Sequence, residues 1–500
     1  MNRWQDRYTT LFGLLVLVAI VGQPVVSALG SLAAHAEPAR IGPGLGLAAV
    51  AYAGYLALVR AVGPVALSAA DASWRLLSPL PRRTVLGRTT AVMTAVAVLC
   101  GLALGVVLLS ALGAPDHTLV RLAAALVLGL GATIGGMALG VMGQSSPAWD
   151  GWLQALTTAS VAAAILLTVL GSGPGRTVLA SVAGAPSWPA AALAAAVTAF
   201  LVRRAWREQP RVPARAIQAA SVRTGRVTQA AVALDPGALT WAAEDAHWRG
   251  RTPGSKVWPV TGAWVLGWQE LRRLGRRPVR VAVLGLSAGV PALAVMAGAP
   301  GLAAVLAFAG GLAAAVSATS GVRRDGDNPA LLRLLAVGRR RALAVRAVPS
   351  ALVSAAWLAA ALGGMTAASG LTVAGGMTVA SGMTIAGGMT VAGGMTAPST
   401  LLATVWWLFG PACAPALAAA AERMALRRPV DHSMPVIDTP GGAIPTGPLL
   451  WAATGVDLAV LGIAPTLVAV AVQPADLLPW LAAQALTGLT VLGGHLWLRR

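Results

Sequence analysis

Uncharged, strongly apolar runs recur along the whole chain. Each is close to the roughly 20 residues that an α-helix needs to cross the hydrocarbon core of a bilayer. The residues are 57% hydrophobic and only 11% charged, which is more apolar surface than one soluble core could bury. These features predict an all-α, polytopic membrane protein with no soluble domain of any size.

The apolar runs predict about twelve transmembrane helices. They are residues 10–33, 43–67, 90–113, 119–142, 150–171, 185–202, 278–298, 300–320, 343–362, 399–421, 449–472 and 476–498. We therefore expect a first six-helix half at residues 1–202, a cytoplasmic basic linker at 203–277, and a second six-helix half at 278–500. Within the linker, Asp235 followed by Pro236 is typical of a helix start and predicts a short amphipathic helix.

The distribution of basic residues predicts the orientation. With the N-terminus in the cytoplasm, 33 of the 37 lysines and arginines fall on the cytoplasmic side. Arg40, Arg121 and Arg176 lie outside, and Arg60 lies within a span. The positive-inside rule therefore places both termini in the cytoplasm. The net charge of +20 then reflects topology; it favours contact with anionic membrane lipids over a nucleic-acid partner.

Only one of the 37 basic residues is lysine, which indicates GC-rich coding and an actinobacterial plasma membrane.

A loop motif occurs twice. The segment at 75–88, "RLLSPLPRRTVLGR", aligns without gaps on "RLLAVGRRRALAVR" at 333–346, with six identities in fourteen positions. Both segments lie between the second and third predicted spans of their halves. This repetition predicts that a six-helix unit was duplicated and fused, an arrangement common among membrane transporters.

Each loop combines a short apolar helix with arginines at the start of the next span. Proline breaks the first of these helices because it lacks an N–H donor, and the arginines can hold the span at anionic headgroups. The result is a short helix on the cytoplasmic face, tied to two membrane helices. The candidate residues are Trp74, Leu76, Leu77, Pro79, Arg82 and Arg83 in the first loop, and Leu334, Leu335, Arg340 and Arg341 in the second.

The first loop resembles the coupling loop of type-2 ABC exporter permeases, in the run "LLSPLPRRTVLGR". The segment "GWQELRRLGRRPVRVAVLG" is similar to the amphipathic helix that those permeases place before their first span. "VALDPGALTWAAEDAHWRGR" and "IDTPGGAIPTGPLLW" also resemble an actinobacterial family of fused, twelve-span, permease-like proteins. The second loop departs from the motif, with Val337 and Gly338 where the prolines would be.

This resemblance implies a permease subunit whose two loops contact a separate ABC ATP-binding subunit. The chain itself is then not an enzyme and holds no cofactor, because the partner subunit binds ATP. A phosphate-binding loop requires Gly-x4-Gly-Lys-Ser/Thr. "GRTPGSKV" at Gly250 lacks that spacing, because Ser255 separates the second glycine from Lys256. Whether one chain forms the whole channel or acts as a homo-oligomer is left open.

A secondary transporter of the major facilitator type is the main alternative. That family shares twelve spans, two halves and a basic middle loop, but its arginine-rich motif differs from both loops of this chain. Proton-coupled carriers also need ionisable groups within the membrane. Asp457, in the eleventh span, is the best candidate for such an intramembrane polar site. Its simpler interpretation is an interfacial aspartate paired with an arginine from a neighbouring helix.

A polytopic membrane enzyme is the second alternative. It would need convergent carboxylates, a His and Cys cluster, or an activated nucleophile. The five histidines are scattered, and Cys100 and Cys413 each lie inside an apolar run. The sequence therefore predicts neither catalytic residues nor a metal site.

A hexapeptide repeat occupies residues 363–396, with Met365, Leu371 and the later methionines at a period of six. Six residues advance a helix by about 600°, so the methionines would spiral around it, whereas an even period keeps them on one face of a strand. We expect an external insertion between the ninth and tenth spans, produced by tandem expansion of the gene. Copper binding is disfavoured because the thioethers are not clustered.

Overall fold

The computed structural model describes two compact units, residues 1–221 and 222–500, and each is treated by itself. The described residues are 37–67, 72, 74, 82–114, 117–173, 175–185, 187–232, 261–334, 336–374, 380–385, 389–394, 405–427, 436–439, 442–445, 453–472, 474 and 476–498. The predicted first span at 10–33 and the linker helix near Asp235 lie outside them.

The first unit consists of helices. They are α1 (Pro38–Val62), α2 (Arg82–Leu112), α3 (Thr118–Ser145), α4 (Pro147–Ser172), α5 (Arg176–Gly184), α6 (Trp188–Glu208) and α7 (Ala214–Val232), with a 3-10 turn at Gln209–Arg211. Part of the predicted linker thus belongs to this unit, because α6 continues past residue 202 and Ile217 and Ala220 of α7 are fully buried.

Glycines let the helices of the first unit approach each other closely. A Cβ atom placed on Gly42 of α1 would lie 2.5 Å from the Cα atom of Gly171 in α4. A Cβ atom on Gly129 of α3 would lie 2.3 Å from the carbonyl oxygen of Gly101 in α2. Any larger residue would clash at these positions. Contacts between small residues of this kind are typical of helices that pack within a membrane.

The second unit is also mainly helical. Its helices are α8 (Trp264–Gly275), α9 (Pro278–Ser287), α10 (Val290–Met296), α11 (Pro300–Val316), α12 (Ser320–Asp327), α13 (Pro329–Leu334), α14 (Arg339–Ala374), α15 (Phe409–Ala425), α16 (Val456–Gly462), α17 (Ala464–Val472) and α18 (Leu478–Trp497). Two short hairpins complete it: β1 (Ala380–Ile385) with β2 (Met389–Gly394), and β3 (Val436–Thr439) with β4 (Gly442–Pro445).

Helix α15 forms the centre of the second unit. It lies along α14 and along α18. Most of its side chains are buried, and Phe409, Leu417 and Met424 are among the largest fully buried side chains of the chain. Leu358 of α14 packs in the same cluster. An α-helix that is apolar on all sides is typical of the interior of a membrane bundle.

The predicted eleventh span is broken between α16 and α17, and Gln484 of α18 fills the break. Its Oε1 atom accepts a hydrogen bond of 3.2 Å from the backbone N–H of Thr466. Its Nε2 atom donates one of 2.6 Å to the carbonyl of Gly462. In a continuous α-helix these two backbone groups would bond to each other. The side chain therefore satisfies the groups that the break exposes, as a membrane-buried break requires.

The apolar helices make this an all-α, multi-pass membrane protein. Eleven of the twelve predicted spans overlap described helices. Among the described residues, six helices are long and apolar enough to cross a membrane, and up to eight if each of two bent pairs counts as one span. The number twelve therefore stays a prediction.

Helix α14 extends further into the hexapeptide repeat than predicted. It continues to Ala374, so the expectation of a loop from residue 363 is wrong for this part of the repeat. The hydroxyls of Thr366 and Ser369 each donate a hydrogen bond of 2.9 Å to a carbonyl of their own helix. These local bonds satisfy the polar side chains of the repeat, which allows an otherwise apolar helix to continue.

The later part of the repeat contains the β1–β2 hairpin. The two strands are antiparallel, and Met383 lies opposite Val391. An even repeat period matches the two-residue period of a strand, although the sequence predicted only an external insertion for these residues.

The two units share some helix neighbours. In the first unit α2 packs along α3, and α3 along α6; in the second, α14 packs along α15, and α15 along α18. In both cases the third predicted span of the half contacts the fourth, and the fourth contacts the sixth. The first unit also packs α1 along α4, and this pairing of the second and fifth spans has no counterpart of similar extent among the described helices of the second unit. The duplication of a six-helix unit therefore stays a prediction.

Candidate functional site

The first loop exposes an apolar side chain. Trp74 is 80% exposed, whereas Ala72, two residues before it, is buried. Leu76, Leu77 and Pro79 lie outside the described residues, as does the side chain of Arg83. The described part of the loop thus presents an aromatic ring to its surroundings.

The segment that enters the first loop is attached to other parts of the first unit. The backbone N–H of Leu67 donates a 2.9 Å hydrogen bond to the hydroxyl of Ser221 in α7. The N–H of Val65 donates one of 3.0 Å to Gln144 of α3. Val65 and Leu67 also belong to a buried apolar cluster with Ile217. The chain entering the loop is therefore held in place by hydrogen bonds and packing.

The second loop has the same character. Helix α13 ends at Leu334, whose side chain is 82% exposed. Leu334 occupies the position of Leu76 in the duplicated motif. Leu335 lies outside the described residues, and Arg341 is exposed. The described part of this loop thus also exposes an apolar side chain.

Arg82 and Arg340 occupy equivalent positions of the two motifs and make equivalent contacts. The guanidinium of Arg82 donates hydrogen bonds to the carbonyls of Pro210 and Val212, just after α6. The guanidinium of Arg340 donates one of 3.0 Å to the carbonyl of Trp497, the last residue of α18. Each arginine thus connects the third predicted span of its half to the end of the sixth, and the expected contact with lipid headgroups stays a prediction.

A buried charge cluster lies behind the second loop. Arg346 of α14 contacts Glu270 of α8 at 2.7 Å and Asp325 of α12 at 2.9 Å. The hydroxyl of Ser320 donates a further bond of 2.9 Å to Glu270. The side chains of Arg346 and Glu270 are only 5% and 1% exposed. Three helices around the loop are therefore joined by charge-assisted hydrogen bonds, which are stronger than neutral ones.

Sequence reasoning missed this cluster, although two signals pointed to it. Arg346 is the last of the six identities in the duplicated motif, and Glu270 is the one acidic residue in "GWQELRRLGRR". A buried acidic side chain needs a charged partner. A single glutamate among arginines on an amphipathic helix therefore indicates an ion pair if that glutamate is buried. The partner of Glu270 depends on the packing of α8 against α14, which the sequence does not show.

Asp457 makes the contacts that its simpler interpretation predicted. One carboxylate oxygen accepts hydrogen bonds from the N–H groups of Gly455 at 2.6 Å and Leu458 at 2.8 Å. The other lies 3.2 Å from the guanidinium of Arg423 in α15. Both charged side chains are partly exposed. The aspartate therefore caps the start of α16 and pairs with an arginine from a neighbouring helix.

A second buried pair joins α15 and α18. The Nε2 atom of His495 lies 3.3 Å from a carboxylate oxygen of Glu422, and the two side chains are 3% and 0% exposed. The sequence analysis did not identify Glu422 as a candidate. The available signal was an acidic residue directly after the predicted apolar span 399–421.

Arg60, within the second predicted span, has a carboxylate partner that the sequence did not predict. Its guanidinium forms two hydrogen bonds of 2.8 Å to the carboxylate of Asp150 in α4, which is the strong bidentate geometry.

Among the described residues, no group of three or more His, Cys, Asp or Glu side chains could hold a metal ion. Gly250 and the neighbouring segment lie outside the described residues.

No curated protein and no solved structure matches this protein. Residues 36–400 match the profile of a family of unknown function (DUF6297). Since the match covers most of the chain, the protein belongs to this family.

Proposed function

We propose that this protein is the transmembrane permease subunit of an ABC-type exporter, driven by a separate ATP-binding subunit. One observation carries the proposal: two loops at equivalent positions expose apolar side chains at their tips while their flanking segments are held by buried contacts. Trp74 and Leu334 are these exposed side chains. Such a loop can bind a partner and pass a displacement on to the membrane helices.

The exposed side chains are suited to a protein partner. Burying a large apolar side chain contributes about 1.5–3 kcal/mol, and aromatic residues are enriched where interfaces gain most of their energy. Arg341, also exposed, adds a positive charge beside the second tip. Charges at the rim of an interface chiefly steer association.

The flanking contacts support transmission of force. Arg346 connects α14 to α8 and α12 through buried ion pairs. Arg340 connects the start of α14 to the end of α18. A push on α13 would therefore move several helices together rather than bend one loop. This is the behaviour that a coupling element requires.

The proposal includes an orientation. The protein lies in the plasma membrane with both termini in the cytoplasm, which follows from the positive-inside distribution of its arginines. Both loops then face the cytoplasm, where an ATPase subunit has access to ATP. The substrate and ATP are bound elsewhere than at the loops, so the loops serve only in coupling.

Co-purification tests the proposal. The full chain is purified in mild detergent from its native host, and bound proteins are identified by mass spectrometry. An ATP-binding subunit should accompany the unmodified protein and the conservative variant Leu334→Met. It should be lost from Leu334→Asp, because a carboxylate cannot be buried in an apolar pocket without a large cost. A preparation of unmodified protein without any ATPase would contradict the proposal.

A secondary transporter is the second candidate, and one observation favours it. Glu422 and His495 form a buried ionisable pair between α15 and α18. Ionisable groups inside membrane helices are often proton or substrate sites. Under this alternative, transport would continue in ATP-depleted vesicles under a proton gradient and would be lost in Glu422→Gln. Under the permease proposal, ATP depletion would stop transport.

A further inference from the structure

A cavity of about 560 Å³ lies between α15, α16 and α18 of the second unit. Its size is within the range of about 300–1,000 Å³ that is typical of ligand pockets. The lining residues are Arg423, Thr454, Leu458, Thr490, Val491, Gly494, His495 and Leu498.

The charged wall of the cavity presents hydrogen-bond donors. The Arg423 guanidinium lies in the lining, with its Nη2 atom 3.2 Å from Asp457. A guanidinium has five N–H donors, so others remain for a ligand. His495 also lines the cavity, and its Nε2 atom faces Glu422. The other ring nitrogen of His495 can therefore serve a ligand.

The nearby carboxylates do not make the cavity acidic. Glu422 and Asp457 are not among the lining residues. Glu422 lies on the far side of the His495 ring, and Asp457 is engaged by two backbone N–H groups and by Arg423. Among the described residues, the polar members of the lining are thus an arginine, a histidine and two threonines. This surface suits an anion.

The rest of the wall is apolar and lies at the membrane edge. Leu458, Val491 and Leu498 line the cavity, and Leu498 is 75% exposed. The cavity is near the C-terminal ends of α15 and α18, which the proposed orientation places at the cytoplasmic leaflet. A ligand here would meet a positive group and a hydrocarbon surface within a few ångströms. An anionic headgroup with an acyl chain has this combination.

We propose that the cavity binds an acidic phospholipid of the cytoplasmic leaflet, with its phosphate at Arg423 and His495 and an acyl chain along Leu458, Val491 and Leu498. The inference rests on the proposed orientation but not on the ABC partner. It implies that the bundle around α15 is stabilised by lipid, since a ligand that binds only the folded state raises stability.

Two adjacent glycines provide a matched test. A Cβ atom on either Gly493 or Gly494 would meet no atom within 4 Å, so a side chain can begin at both positions without a clash at its Cβ atom. Only Gly494 lines the cavity. The full chain is delipidated in detergent, and its unfolding temperature is measured while phosphatidylglycerol is added. The unmodified protein and Gly493→Leu should show the same upward shift. Gly494→Leu should need about tenfold more lipid, because it fills the site.

The charge requirement is tested separately. Phosphatidylcholine should give a much smaller shift than phosphatidylglycerol, and Arg423→Gln should remove most of this difference. Soluble glycerol phosphate alone should give no shift, because it lacks the acyl chain. An equal shift with phosphatidylcholine, an equal response of the two glycine variants, or full stabilisation by glycerol phosphate would each overturn the proposal. None of these measurements involves an ATPase, so they leave the proposed function untouched.

Discussion

Arg346 and Glu270 form an ion pair of 2.7 Å between α14 and α8, with both side chains nearly inaccessible. Arg346 also contacts Asp325 of α12 at 2.9 Å. Arg346 thus joins three helices. They are α14, which begins the ninth predicted span, α8, the amphipathic helix before the seventh span, and α12, which leads into the second exposed loop.

Replacing Glu270 with glutamine should destabilise the second unit strongly. The change leaves Arg346 buried with only one carboxylate partner, and removing one member of a buried pair costs about 3–5 kcal/mol. Thermal unfolding in detergent measures the effect. The matched control is Glu208→Gln, because Glu208 pairs with Arg211 at 3.1 Å on the surface. The control should cost less than about 1 kcal/mol; equal effects would contradict the assigned role of Arg346.

Gln484 should be required for the stability of the broken span. In Gln484→Leu, the N–H of Thr466 and the carbonyl of Gly462 lose their partner. Each unsatisfied buried group costs about 1–3 kcal/mol, so the unfolding temperature should fall clearly. Gln154→Leu, at an exposed position of α4, is the control and should have little effect. If the two variants unfolded at the same temperature, the side chain would not be needed to support the break.

Single cysteines introduced into a Cys-free variant should report the orientation. Gly184 and Gly338 are suitable positions, because a Cβ atom at either would meet no atom within 4 Å. A membrane-impermeant thiol reagent added to intact cells should label the Gly184→Cys variant and not the Gly338→Cys variant. Both should react after the cells are opened. The opposite pattern would invert the proposed topology.

Proline at equivalent threonines should separate the helical from the strand part of the repeat. Thr366 lies in α14 and Thr390 in β2. Thr366→Pro should lower the unfolding temperature clearly, because proline inside a helix costs about 3 kcal/mol. Thr390→Pro should change it little, because an isolated two-stranded hairpin is only marginally stable. Equal effects of the two substitutions would argue against the helical assignment of residues 363–374.

Much of the secondary structure follows from local sequence. The length of each apolar run predicted helices such as α3 and α4 with small errors at their ends, because crossing a bilayer requires a run of uncharged residues of a set length. The two exposed loops were also predicted, since their motif repeats at the same place in each half. The end of α14 was not predicted. The six-residue period of the repeat does not show where tertiary contacts stop supporting a helix.

By itself, the sequence determined the class of protein, the helical segments and the positions of the two loops, because these depend on run length, charge and local repetition. Only the tertiary structure decided the partners of the charged and polar side chains. Arg346 with Glu270, Glu422 with His495, and Gln484 with the break at Gly462 each join helices far apart in the chain. Such pairs form because a buried polar group must find a partner, and which partner it meets depends on how the helices pack.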